Sequence, residues 1–211
     1  MDGKTRKKEK NDDGILLSLS LVLAQCDPDT AGHCLRVGEG AKLVMEEYVR
    51  LFSPDLEYGP LVMQWAATLH DIGKAKVPLR IIMKPTKLSN EEFVTMRKHT
   101  IFGEQMLSEY FDPKNRTMMK CAHDSILYHH ERIDGYGYPS KLFGEEIPLS
   151  AQFTGLADCF DALVSVRAYK PAFSVEKACE MILNGECGKF SPELLACLPA
   201  LAKNRVEAPR G

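Results

Sequence analysis

Leu69-His70-Asp71-Ile72-Gly73-Lys74 is the stretch on which the reading of this chain turns. On a helix of 3.6 residues per turn, neighbours lie about 100° apart, so a nitrogen ligand and an oxygen ligand both reach one side of a helix end. An aspartate carries two oxygens and can serve two metal ions at once. Lys74 lies one turn beyond His70 and points the same way. Gly73 reads as the helix stop, and Pro78 limits continuation. Taken alone, the dipeptide fits an ordinary helix end with a capping aspartate and a solvated lysine. The other histidines decide against that.

There are six: His33, His70, His99, His123, His129 and His130. A lone histidine on an apolar face is more often a hydrogen-bonded core residue than a ligand. Five here fall at or near helix ends or starts, and two are adjacent. His33, His70, His99, His129 and His130, with Asp71 and Asp158, spread over five helices and are expected to converge on one bundle core, where helical folds build multi-metal sites. His123 is left as an ordinary residue. Mixed imidazole and carboxylate donors suit Mn, Fe, Co, Ni or Zn rather than Ca or Mg. The lack of a cysteine cluster argues against structural zinc. More donors than one ion needs imply two ions, and a pair ~3.5–4 Å apart is a device for hydrolysing phosphate esters.

The rest of the chain supplies the frame. Its 211 residues suit one domain, 14–211, behind a solvated tail, 1–13. A net charge of -2 carries no signature of a nucleic-acid polymer as partner. Seven scattered cysteines, with no C-x-x-C pair, read as free thiols of a reducing cytoplasm. Cys34 and Cys159 flank candidate ligands, and packing is their expected role. Basic Lys4 to Lys10 followed by apolar Ile15 to Ala24 resembles a signal peptide. Asn11-Asp12-Asp13-Gly14 interrupts it, Gln25 spoils the cleavage site, and the run is shorter than the ~20 residues of a membrane span. No membrane association is expected.

Ile15 to Gln25 reads as a buried helix, and Ala31 to Leu51 as the next, with Leu35, Val44, Met45 and Tyr48 as its buried stripe. Leu61 to Ile72 reads as a third, carrying His70-Asp71. Leu79 to Met83 is a short turn of helix. The capping box at Ser89-Asn90-Glu91-Glu92 opens a helix through His99 to about Tyr110. Asp112-Pro113 opens another that runs to His129-His130. Asp134-Gly135-Tyr136-Gly137-Tyr138-Pro139 is a loop. Pro148 opens a helix to about Val166 holding Asp158, and Ser174 and Ser191 start two last helices. With no alternating run of strand length, the class is all-α.

Several of these stretches resemble the HD-GYP domain, a branch of the HD phosphohydrolase superfamily. His70-Asp71-Ile72-Gly73-Lys74 is similar to its HDIGK motif, and His129 through Pro139 resembles its HHE-x-x-DG-x-GYP signature. Ala157-Asp158-Cys159-Phe160-Asp161-Ala162-Leu163 resembles the AD-x-FDAL segment, followed by an R-x-Y stretch at Arg167-Ala168-Tyr169-Lys170. The likeness covers roughly residues 15 to 200 and implies an HD-type helical bundle with extra C-terminal helices, its metal site in the core. It implies hydrolysis of cyclic di-GMP to linear pGpG, or on to GMP, by a metal-bridging hydroxide. His33, His70, Asp71, His99, His129, His130 and Asp158 would be metal ligands, with Asp71 shared by two ions, Fe or Mn first, with Ni, Co or Zn as alternatives.

On the same likeness, Lys74 would contact the scissile phosphate and offset developing charge. Tyr138, Arg167 and Lys170 would hold the dinucleotide, Arg167 through a planar fork that lysine lacks. Glu131 and Asp134 would brace the loop or support the histidines. Where three-metal members carry a glutamate one turn before the first histidine, this chain has Asp29, one methylene shorter. Two ions are therefore expected, with Asp29 as N-cap or third-metal ligand. The family usually places a receiver or sensor domain in front, and residues 1–13 are too few for one. A homodimer or a separate sensor protein is left as partner. Two other readings stay open: a hydrolase of another cyclic dinucleotide or nucleotide, and a non-catalytic module that binds cyclic di-GMP or a protein.

Overall fold

The computed structural model describes residues 28–109, 116–166 and 171–207. The expected tail and first helix, the Asp112-Pro113 start and the Arg167 to Lys170 stretch lie outside these. Among the described residues the elements are helical and no strand forms, with one isolated bridge between Asp134 and Phe143. The longest helix, α1 (Pro28–Phe52), packs against α2 (Pro60–Thr68) and α7 (Leu149–Val164). α6 (Arg116–Tyr128) closes the bundle by packing on both α2 and α7. α5 (His99–Glu109) lies across α6 and a short 3-10 turn, Ile72–Lys76. α8 (Val175–Leu183) and α10 (Leu198–Glu207) cover the outer side of α7 and α1.

The buried stripe of α1 is Cys34, Val37, Ala41, Val44 and Met45, a helical period of three and four. Leu35, expected in that stripe, is 63% exposed. It lies about 100° round the helix from Cys34, and Cys34 takes the inward position. Met63, Ala66 and Ala67 of α2, Ile126 of α6, and Phe153 and Leu156 of α7 fill the same core.

Three local breaks matter for the site. α2 ends at Thr68, earlier than the expected Ile72. The Leu69 and His70 amides bond back three residues, to Ala66 and Ala67, and the tightened chain passes into the 3-10 turn. The helix expected to run from Ser89 to Tyr110 is two helices, α4 (Asn90–Arg97) and α5. Side chains replace the continuing ladder there: His99 Nδ1 takes the Met96 carbonyl at 2.8 Å and Thr100 Oγ1 the Arg97 carbonyl at 3.2 Å. The Ser89–Glu92 capping box forms as expected, as does the short α3 (Leu79–Ile82). Ser174 caps α8. Ser191 caps only the four-residue α9 (Pro192–Leu195), and the last long helix follows it.

Gly73 has no left-handed φ, so it is not the expected helix stop. A Cβ there would run into the His99 carbonyl and the Gly103 backbone. Glycine at 73 is what lets the 3-10 turn lie backbone-to-backbone on α5, which brings His99 to Asp71. None of the described helices is long and apolar enough to cross a membrane.

Candidate metal centre

The histidines and carboxylates reach one place from five parts of the chain. His33 comes from α1, His70 and Asp71 from the turn after α2, His99 from the first residue of α5, His129 and His130 from the turn after α6, and Asp158 from α7. His33 Nε2 lies 3.1 Å from Asp158 Oδ1 and 3.8 Å from Asp71 Oδ2. His70 Nε2 is 3.2 Å from Asp71 Oδ2 and 4.0 Å from Asp158 Oδ1. On the other side, His99 Nε2 is 3.3 Å from Asp71 Oδ1 and 3.5 Å from His129 Nε2. Two triads with metal-ligand spacing result, His33–His70–Asp158 and His99–His129–His130, with one ligand atom per residue within 4.8 Å of the others. Asp71 stands between them, Oδ2 toward the first and Oδ1 toward the second.

The tautomers follow from the other ring nitrogens. Nδ1 of His70 is 2.8 Å from the Ala67 carbonyl, and Nδ1 of His129 is 2.9 Å from the Ser125 carbonyl. With His99 on Met96, three imidazoles each give Nδ1–H to backbone, which leaves the Nε2 lone pair pointing inward. His70 Nε2 is buried without a hydrogen-bond partner, and its nearest neighbour is a carboxylate oxygen, another acceptor. His99 and His129 likewise aim lone pair at lone pair. Acceptors facing acceptors in a buried space leave hydrogen-bonding capacity unanswered, and a cation is what answers it. The donor set therefore fits divalent metal ions, of the borderline kind that take nitrogen and oxygen together.

Charge is set in the same sense. Burial pushes His99 below the usual imidazole value, and His129 and His130 well below it; neighbouring imidazoles act the same way, while Asp71 and Asp158 oppose the shift without reversing it. These rings stay neutral and able to ligate. Burial would raise Asp71, but Lys74 and His70 hold it well below the carboxylate range. Burial likewise opposes Asp158, which the His33 hydrogen bond keeps ionised. His33 differs: against burial, Asp158 and Asp161 raise it to about 9. Lys74 Nζ is 2.5 Å from Asp71 Oδ2, partly exposed, at the edge of the cluster.

Asp161 is a residue the sequence reading did not single out. Its Oδ2 accepts from His33 Nδ1 at 2.7 Å, and Arg36 Nε donates to Oδ1 at 2.7 Å. The signal was present: Asp161 follows Asp158 by three residues, and Arg36 follows His33 by three, so each pair shares a helix face. Cys34 also lies within ligand reach of His70 and Asp71. Burial holds its thiol well above the usual range, so it packs as a neutral group.

The loop after His130 is built around Glu131, whose carboxylate accepts from the amides of Ser140, Lys141 and Leu142 at 2.7, 3.0 and 3.1 Å. Glu131 therefore braces the loop and does not touch the histidines. Asp134 accepts from the Tyr136 amide within the same loop. A Cβ on Gly137 would strike the backbone of residues 130–132, so only glycine lets the loop fold back this closely. Arg132 ties the turn to the α8 end through the Cys187 carbonyl at 3.0 Å. Tyr138, brought in by this loop, stacks on His130 with ring centres 4.5 Å apart. His123 stays apart, bonded to Asp124. The side chains of Asp29, Arg167 and Lys170 fall outside the described residues, though Asp29 is the second residue of α1.

This arrangement can be compared with known proteins. The model of the HD domain matches residues 42–194. The chain belongs to the HD domain family. A cyclic di-GMP phosphodiesterase of Vibrio cholerae is 37% identical over 201 residues, which is 92% of this chain and 40% of that protein. A 3'3'-cGAMP-specific phosphodiesterase 2 of the same organism is 38% identical over 170 residues, 81% of this chain and 31% of that one. The chain thus spans less than half the length of either relative. The solved structure of Bd1817, a HDG"Y"P protein from Bdellovibrio bacteriovorus, superposes with a TM-score of 0.59 at 18% identity, covering 96% of this chain and 75% of that one. That likeness bears out the expected all-α HD bundle, and the expected HD-GYP resemblance holds.

Proposed function

We propose that this HD domain is a metal-dependent phosphodiesterase that opens cyclic di-GMP to linear pGpG. The observation that carries the reading is Asp71, whose two oxygens face two separate triads of donors. The names of relatives such as the Vibrio cholerae cyclic di-GMP phosphodiesterase support the substrate. His33, His70 and Asp158 would hold one ion, His99, His129 and His130 a second, and Asp71 would be shared. The donor set suits Mn, Fe, Co, Ni or Zn, and the resemblance to HD-GYP domains puts Fe or Mn first. Two ions, when bound, supply Lewis acidity at phosphorus and an activated water. Asp29 is assigned no third ion.

The chain's own residues do the rest. Neutral His99, His129 and His130 need lose no proton to ligate. Asp161 fixes the His33 ring. Lys74 is ion-paired to Asp71 in this structure and sits at the cluster edge, where its ammonium would meet a non-bridging phosphate oxygen and stabilise the charge that builds there. Glu131 holds the loop that carries Tyr138 against His130. Arg167 and Lys170 are proposed to hold the rest of the dinucleotide.

The relative named for 3'3'-cGAMP favours a second reading, the same cleavage on that cyclic dinucleotide. The assay that decides is incubation of Mn2+- or Fe2+-loaded protein with each cyclic dinucleotide and separation of the products. Linear pGpG as main product is expected from cyclic di-GMP. No cleavage of it by metal-loaded protein would overturn the reading, and a strong preference for 3'3'-cGAMP would establish the second.

A further inference from the structure

Arg97 closes α4, two residues before His99 at the candidate metal centre. Its guanidinium carbon lies 4.4 Å from the centre of the Tyr138 ring and 4.9 Å from that of Phe93. Tyr138 stacks in turn on His130, with planes 24° apart. The Tyr138 ring therefore has the His130 imidazole and the Arg97 guanidinium both against it. Nε of Arg97 is buried without a hydrogen-bond partner, and among the described residues no carboxylate pairs with the side chain. The acid five residues back, Glu92, is committed to Lys84 at 2.5 Å and to the Ser89 amide at 2.7 Å.

An arginine kept only for stability would be expected to pair or to extend into water. Here two rings lie against the guanidinium carbon, and beyond the buried Nε–H its four terminal N–H groups are the donors left for a ligand. A guanidinium held in one place with free donors is a receptor for a planar anion edge, above all phosphate.

Its position selects which phosphate. The Tyr138 ring separates it from His130, so it cannot share a phosphate held among the histidines. A cyclic dinucleotide carries a second phosphodiester one nucleoside away from the first. We infer that Arg97 binds the phosphodiester that is not cleaved, and so selects for substrates with two phosphates in one ring. This rests on the phosphodiesterase reading. It also changes the part assigned to Tyr138: with His130 and Arg97 both against its ring, Tyr138 is a positioning residue that sets the guanidinium.

The test compares Arg97→Gln and Arg97→Lys with the natural protein, all Mn2+-loaded, on cyclic di-GMP and on bis(4-nitrophenyl) phosphate, which has a single phosphate. For cyclic di-GMP, Arg97→Gln should raise KM about ten- to a hundredfold with kcat little changed, the loss expected of a charged hydrogen bond. Arg97→Lys should recover part of it. Metal content and KM for the one-phosphate probe should stay within about twofold, as expected for a side chain that the Tyr138 ring separates from the histidines. An unchanged KM for cyclic di-GMP, or equal losses on both substrates, would overturn the inference while leaving the phosphodiesterase reading intact. If the natural protein cleaves neither cyclic di-GMP nor 3'3'-cGAMP, both fall together.

Discussion

Asp161→Asn tests whether the His33 ring is held for metal binding or merely buried. In the structure Asp161 Oδ2 is 2.7 Å from His33 Nδ1, while Arg36 reaches both oxygens at 2.7 and 3.1 Å and Ser165 donates at 3.1 Å. The carboxylate can only accept, so it fixes the proton on Nδ1 and turns Nε2 toward Asp71 and Asp158. An asparagine can present its amide instead, which places the proton on Nε2, the wrong atom for a ligand. Loss of such a supporting carboxylate costs about 10–100-fold in metal affinity.

The fold should survive the change. Arg36 is 41% exposed and can return to water, so the unfolding free energy should drop by about 1.5–3 kcal/mol, the scale of a charged hydrogen bond. Competition against a chelator with Mn2+ gives the affinity, and thermal melting of the metal-free protein gives the stability. A folded variant whose affinity lies within twofold of the natural protein would refute the reasoning. So would a large loss of stability with affinity per folded molecule unchanged.

Four further outcomes are expected. Asp71→Ala should abolish hydrolysis and most metal uptake in a protein that still melts cooperatively, since two dications would lose their shared counter-charge; full activity would sink the assignment. Gly73→Ala should destabilise by about 1–3 kcal/mol or more in a denaturant titration, because the new Cβ meets the α5 backbone, which cannot rotate away. His33 holds its proton to about 9 in the metal-free protein, against 6.5 when unfolded. Its contribution to metal-free stability is then full below 6.5 and lost as pH rises toward 9, while metal affinity climbs up to tenfold per unit over the same range; calorimetry in buffers of different ionisation enthalpy should find one proton released per chain. Arg167→Lys should raise KM for cyclic di-GMP with metal content unchanged, since the planar fork is lost and the charge kept.

How far the sequence could be read varies with the physics involved. The seven candidate donors were legible because motif spacing on helices survives small errors in where a helix stops. The stops themselves were not. Nothing in the pattern shows that His99 and Thr100 take carbonyls from the turn before, yet those two bonds split α4 from α5. Gly73 looked like punctuation because glycine commonly ends helices, and its work here is contact with a segment thirty residues away. Leu35 was misplaced because periodicity gives a spacing but not its phase. Arg97 carried no motif, and its meaning depends on Tyr138, which a folded loop brings from another part of the chain.

The position of the histidines at helix ends has a physical cause. The last carbonyls of a helix have no amide partner within it. His70 takes one from the end of α2, His99 one from the end of α4, and His129 one from the end of α6. Each of these carbonyls thereby fixes a tautomer and aims a lone pair at the common centre. Those same three helix ends carry partial negative charge, and all three abut the cluster, so their fields add to those of Asp71 and Asp158 in favour of a cation. A protein that used these histidines only as core packing would gain nothing from three converging helix C-termini. Moving any one of the imidazoles a residue along its helix would forfeit both the carbonyl and the aim, which is why the donors occur where helices stop.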